Sequence, residues 1–428
     1  MADLSPDLLA EITTHRIPGI DLGEGFVYPF YDGRSVLNLP QSLCHWLGAD
    51  GFSNQGLDRR YGVSFESRYR HVVLVLLDAL SLTRLQGWLA GGDLPVWSQL
   101  IEAGVLAPLT SITPSTTSAV LTAIWTGRGA IEHGITGYEM WLKEYGVVAN
   151  AILHAPMSFQ GDMGSLKKAG FTPETFLDLP TLGDHLVRFG IQTYAFQHKS
   201  IARSGLSRML MGGSRVWAFT SPIDLWAGVR QLLEEKRDEA NFLWVYWGEL
   251  DYFSHHYGPD DERTLGEFLG FSTAFEHFFL ERLSPGARRE TLMILVADHG
   301  QIATQPDSRY DLRNHPAFTR RLHILPTGEN RLAYLYIRPG QTEAIREYVQ
   351  RTWPGQFLFL EPRYAVRQGL FGEGKPHPRL FDRLGDLILV AKGNAYLWWS
   401  DKADHLLGRH GGLSSDEMLV PFLACELG

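Results

Sequence analysis

Hydrophobic and polar positions along the chain fall into two alternating patterns. Three continuous apolar runs, HVVLVLLDAL from His71, NFLWVYWGEL over Asn241 to Leu250 and TLMILVA over Thr291 to Ala297, read as strands covered on both faces. Between and beside them, Leu94 to Ala103, Ile223 to Lys236 and Thr264 to Leu283 space their apolar residues at helical intervals. Apolar strands alternating with amphipathic helices predict an α/β domain with a mainly parallel sheet.

The pattern changes at both ends of this core. Residues 1–70 mix short helical patterns, Asp7 to Thr14 and Ser35 to Leu47, with turns, and are expected to wrap the core as an extension. After Gly300 a polar stretch rich in Arg, Asp and His leads to a strand-like Arg331 to Ile337, a helix-like Gln341 to Trp353 and a strand-like Gln356 to Glu361. This predicts a small α+β insertion over 301–404 that caps a core formed by 71–300 and 405–428.

Composition narrows the function classes. The 428 residues suffice for two to three average domains or one large enzyme core with an insertion, and a charged fraction of 20% beside 44% hydrophobic residues is ordinary globular usage. A net charge of −9 gives no global field for a nucleic-acid polymer or an anionic membrane surface. An anionic substrate must therefore be caught by a local device such as a metal ion. The opening MADLSPDLLAEITTHRIPG lacks the basic and apolar regions of a secretory signal, and the apolar runs fall short of the roughly 18 residues of a membrane span, so a cytoplasmic location is expected. Cys44 and Cys425 match no metal or redox spacing and are expected to be free thiols.

Aspartates close each of the three apolar runs: Asp78, Asp251 and Asp298. In a parallel sheet these positions share the edge where ligands gather. Asp251 is followed four residues later by His255, which places both on one face of a helical segment. Asp298 is followed directly by His299, and His410 lies in RHGGLS before two glycines. Imidazole and carboxylate suit zinc or manganese, and these six residues can divide between two ions. The segment TPSTTSAVLTAIWTGRG reads as a helix start at Pro114 to Thr117, a body from Ala119 to Trp125 and a stop at Gly127. A hydroxyl on its first turn meets unpaired N–H groups and the positive helix end, which favour an alkoxide and a phosphate.

Taken in order, LLDAL, PSTTSAVLTAIWTG, ELDYFSHHYG, VADHG and RHGGLSSDEM resemble the alkaline phosphatase superfamily, and within it the type I phosphodiesterase/nucleotide pyrophosphatase family. The resemblance implies an alkaline-phosphatase-like three-layer α/β core and a metal-dependent hydrolase of phosphoric diesters or pyrophosphates. It implies a nucleophile nine positions before Thr126, which selects Thr117 over Thr116. It further implies Asp251, His255 and His410 on one divalent ion, and Asp78, Asp298, His299 and the Thr117 oxygen on the other, with zinc the first choice and manganese the second. Many relatives continue from the nucleophile into Phe-Pro-Asn, whose Asn contacts phosphate. Here Ser118-Ala119-Val120 follows, leaving backbone N–H groups or Ser118 as oxyanion donors. His133, in a stretch that also resembles the family, is read as structural.

The expected substrate is a small-molecule phosphate ester. Its pocket is expected from the Gly300 to Arg409 segment and nearby loops, with Trp88, Trp141, Tyr310 and Phe318 as aromatics able to stack on a base. Arg320, Arg321 or Arg331 folding over the site would shift preference toward a monoester. The rivals are a phosphomonoesterase, a phosphonate hydrolase or a mutase of the same superfamily, and a silent module that binds a phosphorylated ligand. A sulfatase is disfavoured because neither cysteine has the required context.

Overall fold

A computed structural model describes residues 5–428 except 54, 63–64, 66–67 and 159–161. Its centre is a seven-stranded sheet of β1 (His71–Leu77), β2 (Val105–Thr110), β3 (Gln192–His198), β4 (Ser214–Phe219), β5 (Asn241–Trp247), β6 (Thr291–Val296) and β7 (Leu419–Glu426). The spatial order is β2-β7-β6-β1-β5-β3-β4. The run β6-β1-β5-β3-β4 is parallel throughout, and β7 is antiparallel to both its neighbours.

The three apolar runs are the middle of this sheet, and every residue of β1, β5 and β6 is buried. The run at Asn241 stops being a strand at Trp247, and Glu249 and Leu250 already belong to the next helix. Two of the other strands lack a comparable signal: β3 reads QTYAFQH, and β4 is an exposed edge.

Helices cover both faces. On one, Trp125 of the Thr117–Thr126 helix packs against Phe242 and Trp244 of β5. On the other, Trp247 meets Phe271 of the Glu262–Phe275 helix, while Trp97 stacks on Phe275 and donates its indole N–H to Ser272. Side chains alternate across a strand, so Phe242, Trp244 and Tyr246 share one face. The apolar pattern expected to continue from Thr264 to Leu283 ends its α-helix at Phe275 and passes through a single π-turn at Glu276–Leu280. Together these layers give the three-layer α/β core of the expected class.

A second, antiparallel sheet orders Phe357–Leu360, Leu387–Ala391, Leu332–Ile337, Leu322–Glu329, Glu139–Leu142, Val147–Asn150 and Ala155–Pro156. Its strands come from both sides of residue 301, so the 301–404 segment does not make this sheet alone. Residues Leu332, Tyr334 and Tyr336 face one cluster, shared with Ile12, Ile20 and Tyr28 of the N-terminal segment, while Ala333, Leu335 and Ile337 face another around Phe318 and Trp353. The N-terminal segment is further tied down by Glu11 against Arg34 and Arg60, and by bridges from Phe26 to Ser414 and Ser35 to Thr110. The expected helix at Ser35 to Leu47 divides into a 3₁₀ turn, Val36–Asn38, and the α-helix Leu39–Trp46, with Pro40 inside its first turn. Both cysteines are free and buried. Among the described residues no helix is long and apolar enough to cross a membrane.

Candidate active site

The carboxyl ends of β1, β5 and β6 deliver three aspartates to one edge. Asp78 is the first residue beyond β1, and Ala79 after it takes a left-handed φ of 65°. That turn aims the Ala79 N–H at Asp298 Oδ1, 3.2 Å away, and the His299 N–H reaches the same oxygen at 2.9 Å. Behind them Gly300 packs so closely that a Cβ there would lie 2.0 Å from the Asp416 carbonyl oxygen. After β5 the chain enters the Glu249–Tyr257 helix at once, and its geometry sets His255 Nε2 3.3 Å from Asp251 Oδ1.

Thr117 is the first helical residue of Thr117–Thr126, and Thr116 is the extended N-cap before it. Thr117 Oγ1 lies 3.3 Å from Asp78 Oδ2 and 3.2 Å from His299 Nε2. Thr116 is buried and instead acts on the Glu329 carboxyl, partly offsetting the burial that raises it to about 8. Of the two neighbouring hydroxyls, only that of Thr117 therefore reaches the aspartate edge. Ser118 donates its hydroxyl to the Gly137 carbonyl at 2.9 Å, which commits that proton within the fold, while the first-turn backbone N–H groups have no partner within their helix. His133 is buried and accepts the Ile135 N–H at 3.0 Å, where it shapes a turn.

The three histidines are oriented in the same way. Nδ1 of His255 faces the Gly408 carbonyl at 2.8 Å, that of His299 faces Gly300 at 3.1 Å and that of His410 faces Ser115 at 3.2 Å. A carbonyl can only accept, so each Nδ1 carries a proton, and Nε2 is the ring atom turned toward the aspartates. His299 and His410 stack with centroids 3.9 Å apart, and His410 Nε2 lies 3.7 Å from Asp251 Oδ1. Ligand atoms of Asp78, Asp298 and His299 lie within 4.8 Å of one another, as do those of Asp251, His299 and His410. The six residues thus form two overlapping groups that meet at His299, with His255 beside Asp251. Asp298 Oδ2 is buried and has no hydrogen-bond partner among the described residues. An orphaned carboxylate oxygen facing imidazole lone pairs fits a cation.

Electrostatics point the same way. Burial, followed by repulsion from Asp298 and Asp251, pushes the Asp78 carboxyl well above the ordinary range, and burial raises Asp298 to about 7. Burial also works against the Asp251 carboxylate, but His255 and His410 outweigh it and hold the group below its usual value. Burial drops His299 to about 4 and His410 well below the ordinary imidazole value. The upward shifts of Asp78 and Asp298 mark carboxyls crowded together without a cationic partner, a crowding that divalent cations would relieve.

Several residues that shape this site carried no motif in the sequence. Tyr246 donates its hydroxyl to Asp78 Oδ2. It lies on the Trp244 face of β5 one step nearer the carboxyl end, so strand alternation is the signal that finds it. Gln301 donates its amide to Asp251 Oδ1. Arg331 forms a fully buried pair with Glu417 at 2.7 and 2.9 Å. Glu417 in turn accepts the Gly412 N–H at 2.8 Å and the Ser414 hydroxyl at 2.6 Å, which fixes the loop behind His410. Arg331 therefore does not fold over the site. Arg320 is exposed, and Arg321 donates to the Ala317 carbonyl.

The substrate pocket also departs from expectation. A cavity of about 250 Å³ opens on Thr117 and Asp78, and its other walls come from Leu121, Ile152, side chains between Gln197 and Met211 that include no Lys or Arg, and the stretch from Tyr246 to Tyr252, not from 300–409. None of the four aromatics expected to stack on a base lines it. Trp88 packs on Phe268, Tyr310 on Tyr396, and Phe318 is buried with Tyr348 and Trp353. Trp141 lies against the second sheet's core.

Comparison with known proteins agrees with this geometry. A family model described as Type I phosphodiesterase / nucleotide pyrophosphatase matches residues 72–413. No curated protein matches the chain. Among solved structures, phosphonoacetate hydrolase from Sinorhizobium meliloti 1021, in complex with phosphonoformate, superposes with a TM-score of 0.61 at 19% identity over 84% of this chain and 90% of that one. Murine ectonucleotide pyrophosphatase / phosphodiesterase 5 gives a TM-score of 0.59 at 16% identity over 82% and 87%. The same murine protein is known as an inactive variant in complex with AMP. At these identities the superpositions establish a shared fold.

Proposed function

The chain belongs to the type I phosphodiesterase/nucleotide pyrophosphatase family and is an ester-bond hydrolase, and from that premise we propose that it hydrolyses phosphoric diesters or pyrophosphates with Thr117 as nucleophile at a two-metal centre. The observation that carries this reading is the position of Thr117 Oγ1 on the first turn of its helix, 3.2 Å from His299 Nε2 and 3.3 Å from Asp78 Oδ2. Asp251, His255 and His410 would hold one divalent ion and Asp78, Asp298, His299 and the Thr117 oxygen the other. With zinc as first choice and manganese as second, the ions would supply the positive charge that phosphoryl oxygens and an ionising hydroxyl require.

The chain's own groups then define the reaction. The Thr117 hydroxyl gives its proton to solvent as Oγ attacks phosphorus in line with the leaving oxygen, forming a phosphothreonine as the bond to the leaving group breaks. The leaving oxygen takes the bonding pair and a proton from solvent. Water then attacks phosphorus, the bond to Thr117 Oγ breaks, and the threonine hydroxyl is regenerated. First-turn N–H groups face the phosphoryl oxygens.

Diesters are favoured over monoesters because a monoester dianion needs more cationic help. After Thr117 the helix holds no basic residue before Arg128, no Lys or Arg lines the adjoining cavity, and Arg331 is committed to Glu417. The expected kcat/KM for an aryl phosphodiester exceeds that for the matching monoester by at least about tenfold, or roughly 1.4 kcal/mol. Chelation should abolish both activities, and elemental analysis should find close to two ions per chain. Equal efficiencies would overturn the diester preference, and full activity without bound metal would overturn the metal centre. A phosphonate hydrolase is the second reading, favoured by the superposition on phosphonoacetate hydrolase, and phosphonates in the same assay separate the two.

A further inference from the structure

We propose that the cavity beside Thr117 receives a short aliphatic substituent on the substrate's phosphoryl group, so that the preferred substrates are small alkyl phosphodiesters and not nucleotides. The inference rests on the phosphodiester reading above and narrows it.

The cavity is continuous with the reaction centre, because Thr117, Asp78 and Asp251 form part of its wall. Leu121 lies one helical turn beyond Thr117 and therefore beside the nucleophile. The remaining apolar wall comes from Ile152, Ile201, Leu206, Leu210 and Met211, and the Leu206 N–H donates to the Ile152 carbonyl at 3.0 Å, joining its two sides. At about 250 Å³ the space is below the roughly 300 to 1,000 Å³ of sites that hold drug-sized ligands.

Its polar groups are largely spent within the protein. Ser207 Oγ donates to Gln197 Oε1 at 2.7 Å, Ser204 Oγ donates to Ser207 Oγ at 3.0 Å, and the Ser200 hydroxyl pairs with His198 Nδ1 at 2.7 Å. A nucleobase needs flat aromatic faces and free donors or acceptors. Of the two aromatic residues lining the cavity, Tyr246 gives its hydroxyl to Asp78, and Tyr252 is 52% exposed and packs on His256. A polyphosphate tail needs cations, yet no Lys or Arg lines the cavity and Glu249 adds a carboxylate. An uncharged alkyl group meets the apolar walls and leaves the Ser207–Gln197, Ser204–Ser207 and Ser200–His198 hydrogen bonds intact.

Two measurements on the metal-loaded protein test this. In the first, 4-nitrophenyl esters share one leaving group and carry a methyl, a butyl or a 5′-thymidyl substituent on phosphorus. Burial of apolar carbon is worth about fourfold per methylene, so butyl should exceed methyl in kcat/KM by at least about tenfold and thymidyl by a similar factor. Ile201→Ala should cut the butyl-over-methyl ratio of kcat/KM about threefold or more. In the second, calorimetry on Thr117→Ala protein compares methylphosphonate, butylphosphonate and thymidine 5′-monophosphate, with butylphosphonate expected to bind at least about tenfold more tightly than either of the others. Thymidyl turnover equal to or above butyl would overturn the aliphatic subsite while the diesterase reading stands. Absence of diester turnover with butylphosphonate still preferred would overturn the diesterase reading and support the subsite. Binding that is flat across the three ligands, or not detected for any, would overturn the subsite.

Discussion

Five adjacent strands of the central sheet run parallel and finish at one edge, so Asp78, Asp251 and Asp298 arrive together there. Strands of the second sheet alternate in direction, and no such edge exists. That sheet contributes none of the proposed ligands, yet Arg331 at the foot of its Leu332–Ile337 strand pairs with Glu417 and thereby fixes the loop behind His410. Glu329, at the end of the preceding strand, is packed so tightly against that loop that a Cβ on Gly411 would lie 2.3 Å from its own Cβ. The difference teaches a division of labour: parallel strand ends gather the acidic groups, while the antiparallel sheet braces the loop that carries His410. Charge is handled oppositely as well. Asp78 and Asp298 have no Lys or Arg partner among the described side chains, whereas the second sheet's buried Arg331 is matched by Glu417.

Three experiments would break or sharpen that contrast. The largest effect is expected at the parallel edge, where Thr117→Ala should lower turnover by about a thousandfold or more, at least about 4 kcal/mol in barrier, while elemental analysis shows most of the metal retained. Thr116→Ala should cost under about tenfold, because its hydroxyl serves Glu329. A dead Thr116 variant beside an active Thr117 variant would assign the nucleophile to the wrong hydroxyl.

Next in size is the brace. Arg331→Met leaves Glu417 buried without its partner and should cost about 3–5 kcal/mol in denaturant unfolding. It should also weaken metal binding about tenfold, measured by competition with a chelator, through a looser His410 loop. The double change Arg331→Met with Glu417→Leu should recover much of the stability but not the metal affinity, since the Gly412 and Ser414 anchors would be gone. Recovery of both would show that the pair fills space and does not position His410.

The smallest effect is a pH dependence in the second sheet. Glu139 accepts the Trp399 indole N–H at 2.9 Å, and burial raises its carboxyl from 4.5 to about 7. The folded protein therefore keeps a proton that the unfolded chain loses, so this group's contribution declines as pH rises from about 4.5 and is fully lost above about 7. Glu139→Gln should flatten that decline, gaining about 1–3 kcal/mol at pH 8 relative to its difference at pH 4. Unfolding curves at both pH values, taken on metal-free protein, check the sign. An unchanged difference would mean that the carboxyl reaches solvent.

The chemistry was legible in the sequence because its units are local. An aspartate after a buried strand, a histidine four residues on in a helix and a threonine at a helix start each need only a few neighbouring residues to define them. The apolar runs named β1, β5 and β6, and their common direction brought Asp78, Asp251 and Asp298 together. Local patterning could not decide what long-range packing sets. Strands β3 and β4 are mixed or exposed, and the cavity between Leu121, Ile152 and Met211 exists only because segments distant in the chain close around Thr117. Arg331 illustrates the same limit, since an arginine in an insertion reads equally as a phosphate clamp or a buried partner. Only the fold, by placing Glu417 at 2.7 Å, chose the latter. Sequence alone therefore determined which groups stand at the strand ends and the helix start, through short-range patterning, whereas tertiary structure decided what surrounds them, because cavity shape and charge pairing arise from contacts between residues far apart in the chain.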